Sequence, residues 1–173
     1  MKTVCTILLL CFFLSACSAA PKAHTNAAPA APKNLTPQQV MRTWTNLGFT
    51  SLKHWDKHNP QNPDQPYATK ANKYVGLPNR FNQRNEVECE IFGPSNNAAS
   101  EYRVDLKLKN IVYEQPTYNL AFKAIRVFAP DPPKEVVAAF RQRKRYDIPP
   151  WKVTIQDYNT FIEVRAVYKP ESH

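Results

Sequence analysis

Residues 86–91 read Glu-Val-Glu-Cys-Glu-Ile, and residues 101–109 read Glu-Tyr-Arg-Val-Asp-Leu-Lys-Leu-Lys. In both stretches a large apolar residue alternates with a charged one. Because successive side chains of a strand point to opposite faces of a sheet, this alternation predicts two strands with one buried face each. The charges of the first stretch are acidic and those of the second are mostly basic, so pairing these strands would place opposite charges side by side.

Three more stretches continue the alternation and are predicted as strands. They cover residues 118–127, where a slip in the pattern suggests a bulge, and residues 151–155 and 162–168, with a hairpin loop between the last two.

Two helices are expected. The first begins at Thr36-Pro37, where Thr36 and Gln39 form a capping box, and it ends at Gly48. Its apolar face consists of Val40, Met41, Trp44 and Leu47. The second begins at residues 131–133, Asp-Pro-Pro, and ends before residues 148–150, Ile-Pro-Pro.

The order α-β-β-β-α-β-β, with short connections, predicts one α+β domain. Its mainly antiparallel sheet would have about five strands, and two helices would pack on one face. Hydrophobic residues make up 43% of the 173 residues, which is enough for a packed core. With only three glycines, the chain cannot form a glycine-rich phosphate loop such as GxGxxG.

The N-terminus carries a targeting signal. Lys2 precedes an almost unbroken apolar run over residues 4–14, which is too short for a transmembrane helix and typical of a secretory signal peptide. Residues 14–17 read Leu-Ser-Ala-Cys, and this resembles the lipobox of bacterial lipoproteins. The resemblance implies cleavage before Cys17 and acylation of that cysteine. Ser18 in the next position implies anchoring in the outer membrane, with the domain taken to face the periplasm.

The chain therefore divides into a signal peptide, residues 1–16, an acylated cysteine with an Ala/Pro-rich tether, residues 17–34, and a periplasmic α+β domain, residues 35–173. Removal of Lys2 leaves 22 basic against 14 acidic residues, a net charge of +8. Cys89 is the one cysteine of the domain, and its apolar strand position predicts a buried core residue.

Residues 50–85 are polar and rich in Asn, Pro and Gln, which predicts a long loop with a short helix at residues 51–58. The loop either packs without a partner or binds a protein or a glycan. Its candidate binding residues are the basic ones, Lys70, Lys73, Arg80 and Arg84.

His54 and His58 would share one face of that short helix, the spacing by which two histidines can hold zinc. Trp55 stands where a zinc protease has its general-base glutamate. The alternative is a solvated polar turn.

Residues 141–145 read Arg-Gln-Arg-Lys-Arg. Such a run either complements the C-terminal dipole of the second helix or forms a patch for an acidic partner. Arg141, Arg143, Lys144 and Arg145 are therefore candidate binding residues. The predicted compartment argues against nucleic acid as the partner.

The sequence shows no nucleophile beside an activating base, so we expect no enzyme and no cofactor. It favours a lipid-anchored envelope lipoprotein whose domain binds an acidic protein partner. The alternatives are an inhibitor or immunity lipoprotein that neutralises a toxin or a wall hydrolase, and a zinc hydrolase using His54 and His58.

Overall fold

The computed structural model describes residues 35–57 and 62–170. The predicted signal peptide, Cys17, the tether and His58 lie outside these residues. The helices are α1 (Pro37–Asn46), α2 (Glu114–Phe128) and α3 (Lys134–Gln142), and a 3-10 turn over Ile111–Tyr113 precedes α2. The strands are β1 (Thr50–Lys57), β2 (Tyr67–Val75), β3 (Asn85–Gly93), β4 (Glu101–Leu108), β5 (Tyr146–Ile148), β6 (Trp151–Asp157) and β7 (Ile162–Tyr168).

The strands form a single antiparallel sheet in the order β1-β2-β3-β4-β7-β6-β5. The prediction of an antiparallel α+β fold is therefore confirmed. The predicted numbers of strands and helices were too low, because the described residues contain seven strands and three helices. None of the described helices is both long enough and apolar enough to cross a membrane.

The central pair, β3 and β4, brings the alternating stretches together in the expected way. Cys89 lies opposite Val104, and Val87 lies opposite Leu106. These apolar residues are fully buried, in one core with residues from all three helices. The charged residues between them point to the other face of the sheet.

Helix α1 has the predicted ends. Thr36 and Gln39 form the capping box, and Gly48 follows the helix with φ +83°. The Trp44 side chain is fully buried, and its Nε1–H donates to the carbonyl oxygen of Ala124 in α2, at 3.1 Å. This bond joins two helices of the core.

The prediction of a strand at residues 118–127 was wrong, because this segment belongs to α2. Its buried residues recur every three or four positions, which is the period of a helix: Thr117, Tyr118, Ala121, Phe122, Ala124, Ile125 and Phe128. Apolar residues at 118, 120, 122 and 124 alternate as in a strand over this short window, so the period alone could not distinguish a helix from a strand.

The prediction of a long loop at residues 50–85 was also wrong, as was that of a helix at residues 51–58. Strands β1 and β2 occupy most of this segment. Thr69, Ala71 and Lys73 face the helices from β2, so small and polar side chains stand where an apolar alternation would have revealed a strand. The three-residue strand β5 lies in the stretch predicted to end the second helix, and α3 ends earlier, before Arg143.

Candidate partner-binding surface

The four basic residues predicted from the 50–85 segment lie in different places. Lys70 points to the charged face of the sheet, where its Nζ lies 2.7 Å from Glu88 and 3.7 Å from Glu90. Lys73 points to the helix side, and its Nζ donates to the carbonyl oxygen of Leu47 at the end of α1, at 2.6 Å. Arg80 and Arg84 are exposed in the loop between β2 and β3.

The basic residues of the run at 141–145 also lie in different environments. Arg143 adopts the left-handed conformation, φ 54°, and its guanidinium turns back to α2, 2.5 Å from Glu114. A hydrogen bond to the Tyr118 hydroxyl and the Glu114 carboxylate raise the pKa of Arg143. Lys144 and Arg145 stay exposed. Arg143 therefore fixes the end of α3 to α2.

His54 lies in β1, and His58 lies outside the described residues. Because His54 lies in a strand, the helical face on which the predicted zinc site depended does not form at His54.

The charged face of the sheet contains a cluster of three carboxylates, those of Glu88, Glu90 and Asp105, with ligand atoms within 4.8 Å of one another. Cations on neighbouring strands surround the cluster. Arg165 donates to both carboxylate oxygens of Asp105, each at 2.8 Å, and Lys107 lies 3.3 Å from Glu88. Sequence analysis predicted the attraction between β3 and β4, but not that Glu88 would lie directly opposite Asp105.

Burial raises the pKa values of the carboxyl groups on this face, and the neighbouring cations lower them. Burial by itself raises the pKa of Glu88, but the hydrogen bond from Lys70 and the charges of Lys107 and Lys70 outweigh it, so the net shift is downward. Burial dominates at Asp105 and raises its pKa to about 6, although Arg165 acts in the opposite direction. The three carboxylates are thus part of an ion-pair network that includes Lys70, Lys107 and Arg165.

Cys89 is fully buried, as predicted. Burial raises the pKa of its thiol, and the charges of Asp105, Glu88 and Glu90 raise it further. Such a thiol stays protonated at neutral pH and is a poor nucleophile.

The surface that sequence analysis missed lies at one end of the sheet. Leu77, Phe81, Ile111 and Val112 have 67%, 66%, 82% and 75% of their surface exposed. We call these four residues the end patch. They come from two segments, the loop between β2 and β3 and the turn between β4 and α2. Large contiguous apolar patches on a protein surface often mark binding sites.

Asparagine side chains hold the two segments of the end patch together. Asn79 donates to the carbonyl oxygen of Lys109 at 2.9 Å, and its Oδ1 accepts from the backbone N–H of Phe81 and Gln83, at 2.9 and 3.0 Å. Asn110 donates to the carbonyl oxygen of Leu77 at 3.3 Å. The end patch is therefore presented by an ordered framework.

A third asparagine connects this framework to the core. Asn85 is fully buried, and its Oδ1 accepts from the backbone N–H of Lys109 and of Asn110, both at 2.7 Å. Gly76 allows the segments to meet, because a Cβ added there would lie 2.1 Å from the Tyr113 ring.

Three basic residues border the end patch. The Arg80 guanidinium lies over the Phe81 ring, 4.7 Å from its centroid, and the Lys109 ammonium lies 5.5 Å from the centroid of Phe161. Arg84 is exposed in the same loop as Arg80. No carboxylate of the described residues is in ion-pair distance of these three side chains. The surface thus has an apolar centre and an uncompensated basic border.

Isolated apolar residues are normal on protein surfaces, and the sequence showed Leu77 and Phe81 only as scattered residues. Their proximity to Ile111 and Val112 depends on the contact between two distant segments, which no local pattern shows.

Comparison of the chain with protein-family models, with curated proteins and with solved structures gives no match in any of the three.

Proposed function

We propose that the chain is an envelope lipoprotein, anchored through acylated Cys17 in the outer membrane, whose periplasmic domain binds a protein partner without catalysing a reaction. The lipobox and its position behind an apolar run support the anchor. The ion pairs of the carboxylates and the burial of the Cys89 thiol support a role in binding, because a buried, protonated thiol is a poor nucleophile.

The end patch carries this proposal. Eight large hydrophobic side chains are exposed among the described residues, and half of them are in the end patch. Burying apolar side chains drives most protein association, and central apolar contacts usually contribute the most binding energy. The asparagine framework also lowers the entropic cost of binding, because these segments are already ordered.

The border of the end patch defines the chemistry of the partner. Arg80, Arg84 and Lys109 have no ion-pair partner among the described residues, so they are available to carboxylates of another protein. The expected partner therefore has an apolar contact site bordered by acidic residues. Complementary charge of this kind mainly accelerates association and makes it sensitive to salt.

A capture experiment with solubilised envelopes tests the proposal. The bait is the full acylated chain with a C-terminal tag, compared with a Leu77→Ser/Ile111→Ser variant. The control is Leu52→Ser/Ile148→Ser, which changes two similarly exposed apolar residues, 54% and 60% accessible, in the edge strands β1 and β5. We expect a stoichiometric, salt-sensitive partner that the wild type and the control retain and the end-patch variant loses.

Equal capture by the wild type and the end-patch variant would contradict the proposed surface, and so would the absence of any specific partner. Charge reversal by Arg80→Glu/Arg84→Glu should slow association with the captured partner. If that partner is a toxin or a wall hydrolase and loses activity when bound, the role is inhibition.

A further inference from the structure

A second surface lies on the helical side of the molecule. The last turn of α2, the connection at residues 129–133 and one face of α3 enclose a groove of about 600 Å³. Its basic side chains are Arg126, Lys134 and Arg141, and Val137 and Ala138 form part of its apolar wall. Grooves of this volume suit ligands of small-molecule size.

The sequence explains why the groove keeps its shape. Pro130, Pro132 and Pro133 restrict the backbone of the connection, because the proline ring fixes φ. One face of α3 carries Lys134 and the residues three, four and seven positions after it, which are Val137, Ala138 and Arg141.

The charges of the groove are not balanced. Three cations face a single carboxylate, Asp131, which also lines the groove. No carboxylate of the described part of the chain lies within ion-pair distance of Arg126, Lys134 or Arg141. On the charged sheet face, in contrast, four cations have acidic neighbours within 4 Å: Lys70, Arg103, Lys107 and Arg165.

The Phe122 ring positions the Arg141 guanidinium. It lies over the Phe122 ring, 4.9 Å from the centroid, an arrangement that orients its planar donors. Helix α3 also begins at this groove without a side-chain cap on its first N–H groups, which adds the positive end of a helix dipole.

We propose that this groove binds a phosphate-bearing ligand of small-molecule size, a function separate from the partner binding of the end patch. Guanidinium groups match phosphate oxygens with two parallel hydrogen bonds, and a lysine adds a point charge. Two arginines and a lysine across the groove can contact more than one phosphate. The apolar wall would accommodate the ligand's carbon skeleton. A phospholipid headgroup and a soluble phosphate compound share this chemistry.

Two probes distinguish these sources, with the chain from residue 17 onward carrying Cys17→Ser, so that neither a lipid anchor nor the apolar signal peptide contributes. One is inorganic tripolyphosphate, measured by titration calorimetry. The other is vesicle sedimentation, with phosphatidylcholine alone or mixed with phosphatidylglycerol. The groove variant is Arg126→Ala/Lys134→Ala/Arg141→Ala. The matched control is Arg42→Ala/Lys144→Ala/Arg145→Ala, which removes three exposed positive charges outside the groove.

We expect at least one probe to bind, with an affinity that falls at least about tenfold in the groove variant and less than about threefold in the control. Binding of tripolyphosphate alone would indicate a soluble ligand, and binding of the mixed vesicles alone would indicate a lipid headgroup. An equal loss in both variants would overturn the proposal in favour of unspecific attraction, and so would a failure of both probes to bind. Circular dichroism would verify that each variant folds.

Discussion

The two faces of the sheet consist of alternate residues of the same strands, but different interactions stabilise them. On the helix side, Val87, Cys89 and Val104 are fully buried in an apolar core. On the other side, Glu88 and Asp105 are only 8% and 1% exposed although they carry charge. At these central positions both faces are buried, and the chemistry of the buried groups distinguishes them.

This difference predicts different responses to substitution. Removing apolar atoms from a packed core loses transfer free energy and leaves a cavity. Removing one member of a buried ion pair leaves an uncompensated charge, whereas removing both members can cost almost nothing. Single and double substitutions can therefore tell the faces apart.

The largest effect is expected for Phe140→Ala on the apolar side. Phe140 is fully buried, with its ring 5.4 Å from that of Phe122 and 5.9 Å from that of Tyr118, both edge-on. The substitution should lower the free energy of unfolding by about 3–5 kcal/mol, measured by urea denaturation. Phe81→Ala is the matched control, since the Phe81 ring is 66% exposed and should contribute about 0.5 kcal/mol or less. Similar losses in the two variants would contradict the placement of Phe140 in the core.

A smaller effect is expected for Arg165→Leu on the charged side. Asp105 would keep its buried carboxylate without the two hydrogen bonds from Arg165. We expect a loss of about 2–3 kcal/mol in urea denaturation, less than for a fully buried pair, because the carboxyl group can take up a proton instead.

The double variant Asp105→Leu/Arg165→Leu provides the decisive comparison for the charged side. It removes both charges together and should be about as stable as the wild type, within about 1 kcal/mol. If its loss equals the sum of the losses for Arg165→Leu and for Asp105→Leu alone, the pair is not coupled in the way that the geometry indicates.

The same comparison explains which parts of the structure the sequence predicted. Residues 86–91 and 101–109 alternate strictly, and both strands were predicted correctly, although the like-charged neighbours Glu88 and Asp105 were not. Strand β2 carries Thr69, Ala71 and Lys73 on its helix side, so tertiary pairing with β3, not local pattern, makes it a strand. The end patch combines two segments that are about 30 residues apart in the chain, so its residues could be named only after the fold was known. The groove lies within residues 126–142, and Arg141 is the one of its three cations that sequence analysis had named.

The charged face should also make the stability of the protein depend on pH. Burial raises the pKa of Asp105 to about 6 in the folded state, against 3.8 without such an environment. Between these values the folded protein holds a proton that the unfolded chain releases, so the stability that Asp105 contributes is full below pH 3.8 and is lost as the pH rises through about 6.

Asp105→Asn isolates this contribution. Lowering the pH from about 7 to about 4.5 should stabilise the wild type by about 2 kcal/mol relative to the variant, measured by urea denaturation at each pH. Glu88 works in the opposite direction, because its pKa is lowered, and the Lys70 and Lys107 side chains that lower it are present in both proteins. Cys89 on the apolar side stays protonated throughout, since its pKa is raised. Parallel pH curves for the wild type and the variant would show that Asp105 is already ionised over this whole range, with Arg165 outweighing burial.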